Sequence, residues 1–256
     1  MSSTIVALVV TEVILMIAIP IVAILVLRKR WALVMRLALA GAATFVASQI
    51  LHIPANSLLG RVFPIAEQPL IVQAIVLGLS AGIFEEVARY LVYRFWQKDA
   101  RTWREAVFFG LGHGGIESIL TGLLAALTLV NVIAISQVQD PTTLGLSEET
   151  VATAMAQVDE YWSMHVYLPV LAVAERVMAL ILHISLSTLV ALSFRVNSIW
   201  PVLAAILWHA TANAVAVTVA QTWGAVAAEG ALAIVALLSI VILWRTRQAL
   251  SYRPNA

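Results

Sequence analysis

Seven stretches of this sequence, at about 4–27, 31–53, 69–96, 105–136, 166–195, 199–221 and 224–244, are apolar over roughly the 20 residues a helix needs to cross a bilayer. Lipid offers a polypeptide no hydrogen-bond partners, so such runs must satisfy their own N–H and C=O groups within each segment, as helices do. Composition agrees: 62% of residues are hydrophobic and 11% charged, against an apolar share of about 45–50% in soluble domains. The expected fold is an all-α polytopic transmembrane helix bundle of about seven spanning helices. It forms one integral membrane domain over residues 1–256, located in the cell membrane with the lipid bilayer as its solvent.

The positions of Lys and Arg set the expected orientation, because cytoplasmic connections concentrate them. Arg28, Lys29 and Arg30 follow the first span; Arg94, Lys98, Arg101 and Arg104 fall between the third and fourth; Arg195 ends the fifth; Arg245, Arg247 and Arg253 follow the last. Alternate connections are therefore basic, which predicts the N-terminus out and the C-terminus in. The first span has no basic segment ahead of it and reads as a retained anchor rather than a cleavable signal. The longest connection, about 137–165, carries Asp140, Glu148, Glu149, Asp159 and Glu160 with no Lys or Arg, and reads as an extracytoplasmic loop. Val151, Met155 and Trp162 recur there at helical spacing and predict a short amphipathic helix.

The chain has no cysteine, which removes disulfides, thiolate metal sites and cysteine nucleophiles. A formal net charge of +1 gives no basic surface for nucleic acid, so no nucleic-acid partner is expected. No internal repeat or low-complexity segment is evident.

Against this background, ionisable residues inside the spans stand out. Each costs roughly 2.5–3.5 kcal/mol at mid-bilayer on the mildest scale, so such groups mark a working site by default. Glu85, Glu86 and Arg89 lie in the third span, His113 and Glu117 in the fourth, His183 in the fifth, and His209 with Asn213 in the sixth. Counting 1.5 Å per residue from the cytoplasmic end of each helix puts Glu85, His113, His183 and His209 at depths of roughly 12–17 Å. Neighbouring spans run in opposite directions, so a shared depth is unexpected for unrelated oddities. The pairs Glu85 and Arg89, His113 and Glu117, and His209 and Asn213 are each four residues apart, on one helix face. The run Gly110, Gly112, Gly114 and Gly115 around His113 predicts close helix approach and a narrow wet pocket beside that imidazole.

A carboxylate and an imidazole together in a desolvated site form an acid/base pair that can activate water. A second imidazole with a carboxamide one turn away can donate to negative charge developing on a carbonyl oxygen. Glu85-Glu86 followed by Arg89, then Phe109 and His113 spaced as FxxxH, then His209 and Asn213 spaced as HxxxN, each on its own span, resemble the CAAX prenyl-protein and bacteriocin-processing intramembrane peptidases, and more closely the YhfC-type membrane peptidases. The resemblance runs from about 70 to 220. It implies a glutamic-type intramembrane endopeptidase in which Glu85 and His113 activate water, His209 and Asn213 stabilise the oxyanion, and Glu86 holds Arg89 or supports the water. Phe109 and His183 match supporting positions, and Glu117 joins by geometry. Substrates implied are membrane-embedded proteins or lipid-modified peptides. Only Val87 and Ala88 separate Glu86 from Arg89, where prenyl-protein peptidases have three residues, which leaves open which glutamate faces the pocket.

Other readings of the same residues stand beside this one. No cofactor is required by water activation at Glu85, but His113, Glu117 and one of His183, His209 or Glu85 could hold zinc in a metal-dependent peptidase. A proton-coupled transporter would also place Glu, His and Arg at mid-membrane, and a non-catalytic scaffold would use the outer loop. On structural readings, Glu85, Glu86 and Arg89 form a packing ion pair, Ser187 satisfies His183, and Glu175 pairs with Arg176. His52 and His165 read as rings near the outer interface, and most Trp residues as members of the aromatic belts.

Overall fold

The computed structural model describes residues 2–138 and 147–251. Among these, eight α-helices, one short 3-10 turn (Ile65–Glu67) and no strand are present: α1 (Ser3–Trp31), α2 (Met35–Val62), α3 (Leu70–Phe95), α4 (Trp103–Ser136), α5 (Glu148–Trp162), α6 (Leu168–Val196), α7 (Trp200–Trp223) and α8 (Ala225–Ser251). All but α5 are long and apolar enough to cross a membrane, as the hydropathy predicts. Asp140 and Arg253 lie outside the described residues.

Local chemistry accounts for the ends. Thr102 and Glu105 form a reciprocal capping box that starts α4. Pro169 and Pro201 occupy the first turns of α6 and α7, where a missing N–H costs nothing. Asn197 closes α6 in the left-handed region, φ 50°, a conformation Asn tolerates. Arg101 clamps the end of α3 to the start of α4: its guanidinium donates to the carbonyls of Gln97 at 2.9 Å and Tyr93 at 2.9 Å. Helix α5 forms where Val151, Met155 and Trp162 predict it, and Trp162 donates to Ser136 Oγ at 2.9 Å, which ties it to the end of α4.

Helix α4 lies at the centre, packed on α1, α2 and α6, while α3 lies along α7. The aromatic core between them is built from Tyr93, Phe108, Phe109, Leu111, Leu186 and Val190. Close approach depends on glycine. An added Cβ at Gly78 would sit 2.6 Å from the Ala210 carbonyl oxygen, and one at Gly82 would sit 2.6 Å from that of Ile206, so α3 and α7 touch backbone to backbone. Gly112 is equally closed off by Ala38 on α2, and Gly110 by Ile184 and Ser187 on α6. The glycines around His113 therefore serve helix packing. They do not open the wet pocket beside His113 that the sequence predicts.

Candidate active site

Three histidines from three helices stand in a row inside the bundle. The ring centroids of His113 and His183 are 5.2 Å apart, and those of His183 and His209 are also 5.2 Å apart. Each imidazole has its own carboxylate. His113 Nε2 lies 3.1 Å from Glu85 Oε2, His183 Nε2 lies 2.6 Å from Glu117 Oε2, and His209 Nδ1 lies 2.9 Å from Glu86 Oε1. All three histidines, both adjacent glutamates and Arg89 are buried. The shared depth read from the sequence is thus matched by direct contact across α3, α4, α6 and α7.

The two glutamates have different surroundings. Glu86 is fully enclosed, and Arg89 Nη1 donates to both of its oxygens at 3.0 and 2.7 Å while His209 takes one of them. Arg89 pairs with Glu86 three residues back rather than with Glu85 four residues back. A carboxylate so occupied compensates a buried charge and has no oxygen left for a substrate. Glu85, by contrast, lines a cavity of about 110 Å³ whose walls include His183, His209, Asn213, Glu117 and Arg176. That volume has room for a few water molecules.

Of the remaining residues singled out from sequence, Phe109 packs on Tyr93, ring centroids 4.7 Å apart, within the core rather than the cavity. His113 is fully buried behind Glu85 and meets the edge of Phe45. Ser187 does not satisfy His183: its hydroxyl has no partner among the described residues, and His183 is held by Glu117 and by Arg89 Nη2, which donates to Nδ1 at 3.3 Å. Arg176 bridges Glu117 at 2.9 Å and its neighbour Glu175, so the pairing read from sequence is present and reaches the cavity wall.

One group of residues was missed. Gln49 on α2 donates from Nε2 to Glu85 Oε1 at 3.1 Å. Its Oε1 faces His52 Nδ1 at 3.2 Å, Asn56 Nδ2 lies 2.9 Å from His52 Nε2, and Ser80 donates to Asn56 Oδ1 at 2.5 Å. His52 is therefore part of a hydrogen-bonded file that ends on the cavity carboxylate. A signal was available: 49, 52 and 56 fall on one helix face, a polar stripe on an otherwise apolar span.

Ligand atoms of Glu85, His113 and His183 lie within 4.8 Å of one another. One carboxylate and two imidazoles make a donor set suited to zinc. His183 adds the feature most typical of a ligating histidine, a carboxylate on its far nitrogen that fixes ring orientation. The residues fit the metal, although Arg89 now uses the Nδ1 lone pair that a cation would take.

Comparison with known proteins gives the chain a family. A segment of 59 residues is 51% identical to the membrane protein YhfC of Bacillus subtilis (strain 168), an uncharacterized protein, and covers 23% of each chain. The chain thus aligns with under a quarter of that relative's length. No solved structure matches it. The model of a family described as YhfC intramembrane metalloprotease matches residues 15–237, which takes in every helix that carries the site. The chain belongs to the YhfC intramembrane metalloprotease family.

Proposed function

We propose that the protein is an intramembrane endopeptidase that hydrolyses peptide bonds of membrane-embedded or lipid-modified substrates at the Glu85 cavity. The observation that carries this reading is the pairing of Glu85 with His113 at 3.1 Å on the wall of a cavity shared with His209 and Asn213. Glu85 orients a water molecule and takes its proton as the water oxygen bonds to the scissile carbonyl carbon. His113 holds the carboxylate in place from behind. His209, as an imidazolium whose Nδ1–H is taken by Glu86, donates its Nε2–H to the carbonyl oxygen as it gains charge, and Asn213, one turn on along α7, donates from its amide. When the C–N bond breaks, Glu85 returns the proton to the leaving amine, so the carboxylate ends as it began. Glu86 keeps His209 in register through its contact at 2.9 Å while neutralising Arg89. By the distribution of Lys and Arg the basic ends of the spans face the cytoplasm, which puts α5 on the outer side of a single domain.

A second reading is supported by the Glu85, His113 and His183 trio and by the family's description. Zinc held by these three would supply Lewis-acid polarisation of the carbonyl and a more acidic water. Both readings share the hydrolytic outcome and the cavity.

Purified protein in liposomes, offered a library of quenched-fluorescent transmembrane peptides, should cleave a subset of them. Glu85→Gln should slow cleavage by about 10²–10⁴-fold, the usual share of a general base. Cleavage by Glu85→Gln at the parental rate ends the assignment.

A further inference from the structure

At the end of the bundle where α1 stops and α4 begins, beside the last turns of α8, lies a cavity of about 760 Å³, several times larger than the one at Glu85. Three guanidinium groups line it, those of Arg30, Arg104 and Arg247, together with the rings of Trp31 and Trp103. The two indoles meet at 5.9 Å between centroids and form a partly buried floor. Trp103 is fixed by donating to the Leu243 carbonyl at 3.1 Å. Arg104 lies over Trp31 at 5.9 Å and Arg247 over Trp103 at 5.5 Å. None of the three arginines forms an ion pair with a described residue. The carboxylate on the cavity wall, Glu105, is committed to the capping box, where one of its oxygens accepts from the backbone N–H groups of Arg101 and Thr102 and from the Thr102 hydroxyl.

Arginine resting by its face on an aromatic ring keeps its N–H edges free, and those edges match the oxygens of a phosphate. Simple anchoring of a helix end requires neither a cavity nor three arginines directed at one space. The height is also informative. Trp31, Trp103 and the ends of three spans mark the level of lipid headgroups, where an indole sits with its apolar body towards the chains. A volume of this size accepts a headgroup and falls in the range of small-molecule sites.

We propose that this cavity binds the phosphate-bearing headgroup of an anionic phospholipid, held by Arg30, Arg104 and Arg247 over the Trp31 and Trp103 floor. The assignment is independent of the peptidase reading, because none of these residues touches the Glu85 cavity.

The test measures binding of spin-labelled phosphatidylglycerol and phosphatidylcholine to the full-length protein in neutral detergent micelles. Two variants are compared, Arg104→Gln/Arg247→Gln and Arg28→Gln/Lys29→Gln, the latter removing the same charge just outside the cavity. Phosphatidylglycerol should be bound in preference to phosphatidylcholine, and the cavity variant should weaken it about 25-fold, since each of the two basic groups at a membrane surface is worth roughly fivefold. The Arg28/Lys29 variant should bind within about twofold of the parent. Equal losses in the two variants would reduce the effect to general surface charge and overturn the proposal, as would unchanged binding in the cavity variant. Displacement of the lipid by millimolar inorganic phosphate would reassign the site to a soluble phosphate. Failure of inorganic phosphate to compete supports the lipid.

Discussion

Gln49 Nε2 donates to Glu85 Oε1 at 3.1 Å and so joins the cavity carboxylate to a file of polar side chains on another helix. An amide carries its donor and acceptor on different atoms, so this bond fixes the direction of the next ones. Gln49 Oε1 accepts from His52 Nδ1–H, His52 Nε2 accepts from Asn56 Nδ2–H, and Asn56 Oδ1 accepts from the Ser80 hydroxyl. Every donor points towards Glu85. Bonds aligned in this way polarise one another and hold the Glu85 carboxyl in one orientation.

Replacing Gln49 by Leu should therefore impair the reaction more than the fold. On the peptidase reading, kcat should fall about 10–100-fold, the usual effect of removing a group that orients a site residue, with KM nearly unchanged. Steady-state cleavage with a thermal melt of the same preparation checks this. Parental kcat in Gln49→Leu would show that Glu85 needs no support from α2.

The adjacent glutamates should separate cleanly by stability. Glu86→Gln leaves Arg89 as an uncompensated charge at 0% exposure and should cost about 3–5 kcal/mol, seen as a large drop in melting temperature in detergent. Adding Arg89→Met should recover much of that loss, because the unpaired charge goes with it. Glu85→Gln should melt close to the parent, since its contacts are to an imidazole and an amide and a carboxamide of the same shape fills the site. Similar melting of Glu85→Gln and Glu86→Gln would contradict this division of roles.

The same residues show how far the sequence could be read. Hydropathy alone located the seven spans, because a bilayer imposes length and composition on every helix that crosses it. Common depth was enough to group Glu85, His113, His183 and His209. Spacing could not decide whether Arg89 turns to the carboxylate three or four residues back, because both lie on its face. It also could not say that Gly110 and Gly112 are filled by neighbouring backbones rather than left open. Gln49 and Asn56 went unnoticed because a neutral amide is a weak signal in an apolar run, and its importance appears only when the partner helix is in place.

Zinc should follow the trio rather than the whole row of histidines. On the metal reading, His183→Ala should lose zinc while His209→Ala, whose imidazole is engaged with Glu86, retains it. Glu117→Ala should weaken zinc about 10–100-fold through the orientation of His183 alone. Elemental analysis of protein purified without chelator, followed by competition with a zinc dye, measures all three. Stoichiometric zinc whose removal abolishes cleavage would transfer water activation to the metal. Full cleavage by metal-stripped protein would leave it with Glu85.

The seam between α3 and α7 sets the distance between Glu86 and His209, and glycine sets the seam. A methyl at Gly82 would meet the Ile206 carbonyl at 2.6 Å, a backbone atom that cannot swing aside, so Gly82→Ala must push the helices apart. Overpacking of this kind costs about 1–3 kcal/mol. It also acts one turn from Glu85 and Glu86, so catalysis should suffer beyond the change in stability. Gly60 on α2 is the control: nothing lies within 4 Å of its added Cβ, and Gly60→Ala should be neutral or stabilising by up to about 1 kcal/mol through helix propensity. Melting curves and cleavage rates of the two variants, taken side by side, provide the comparison. Equal tolerance at both positions would mean that the close contact of α3 with α7 is not what holds His209 against Glu86.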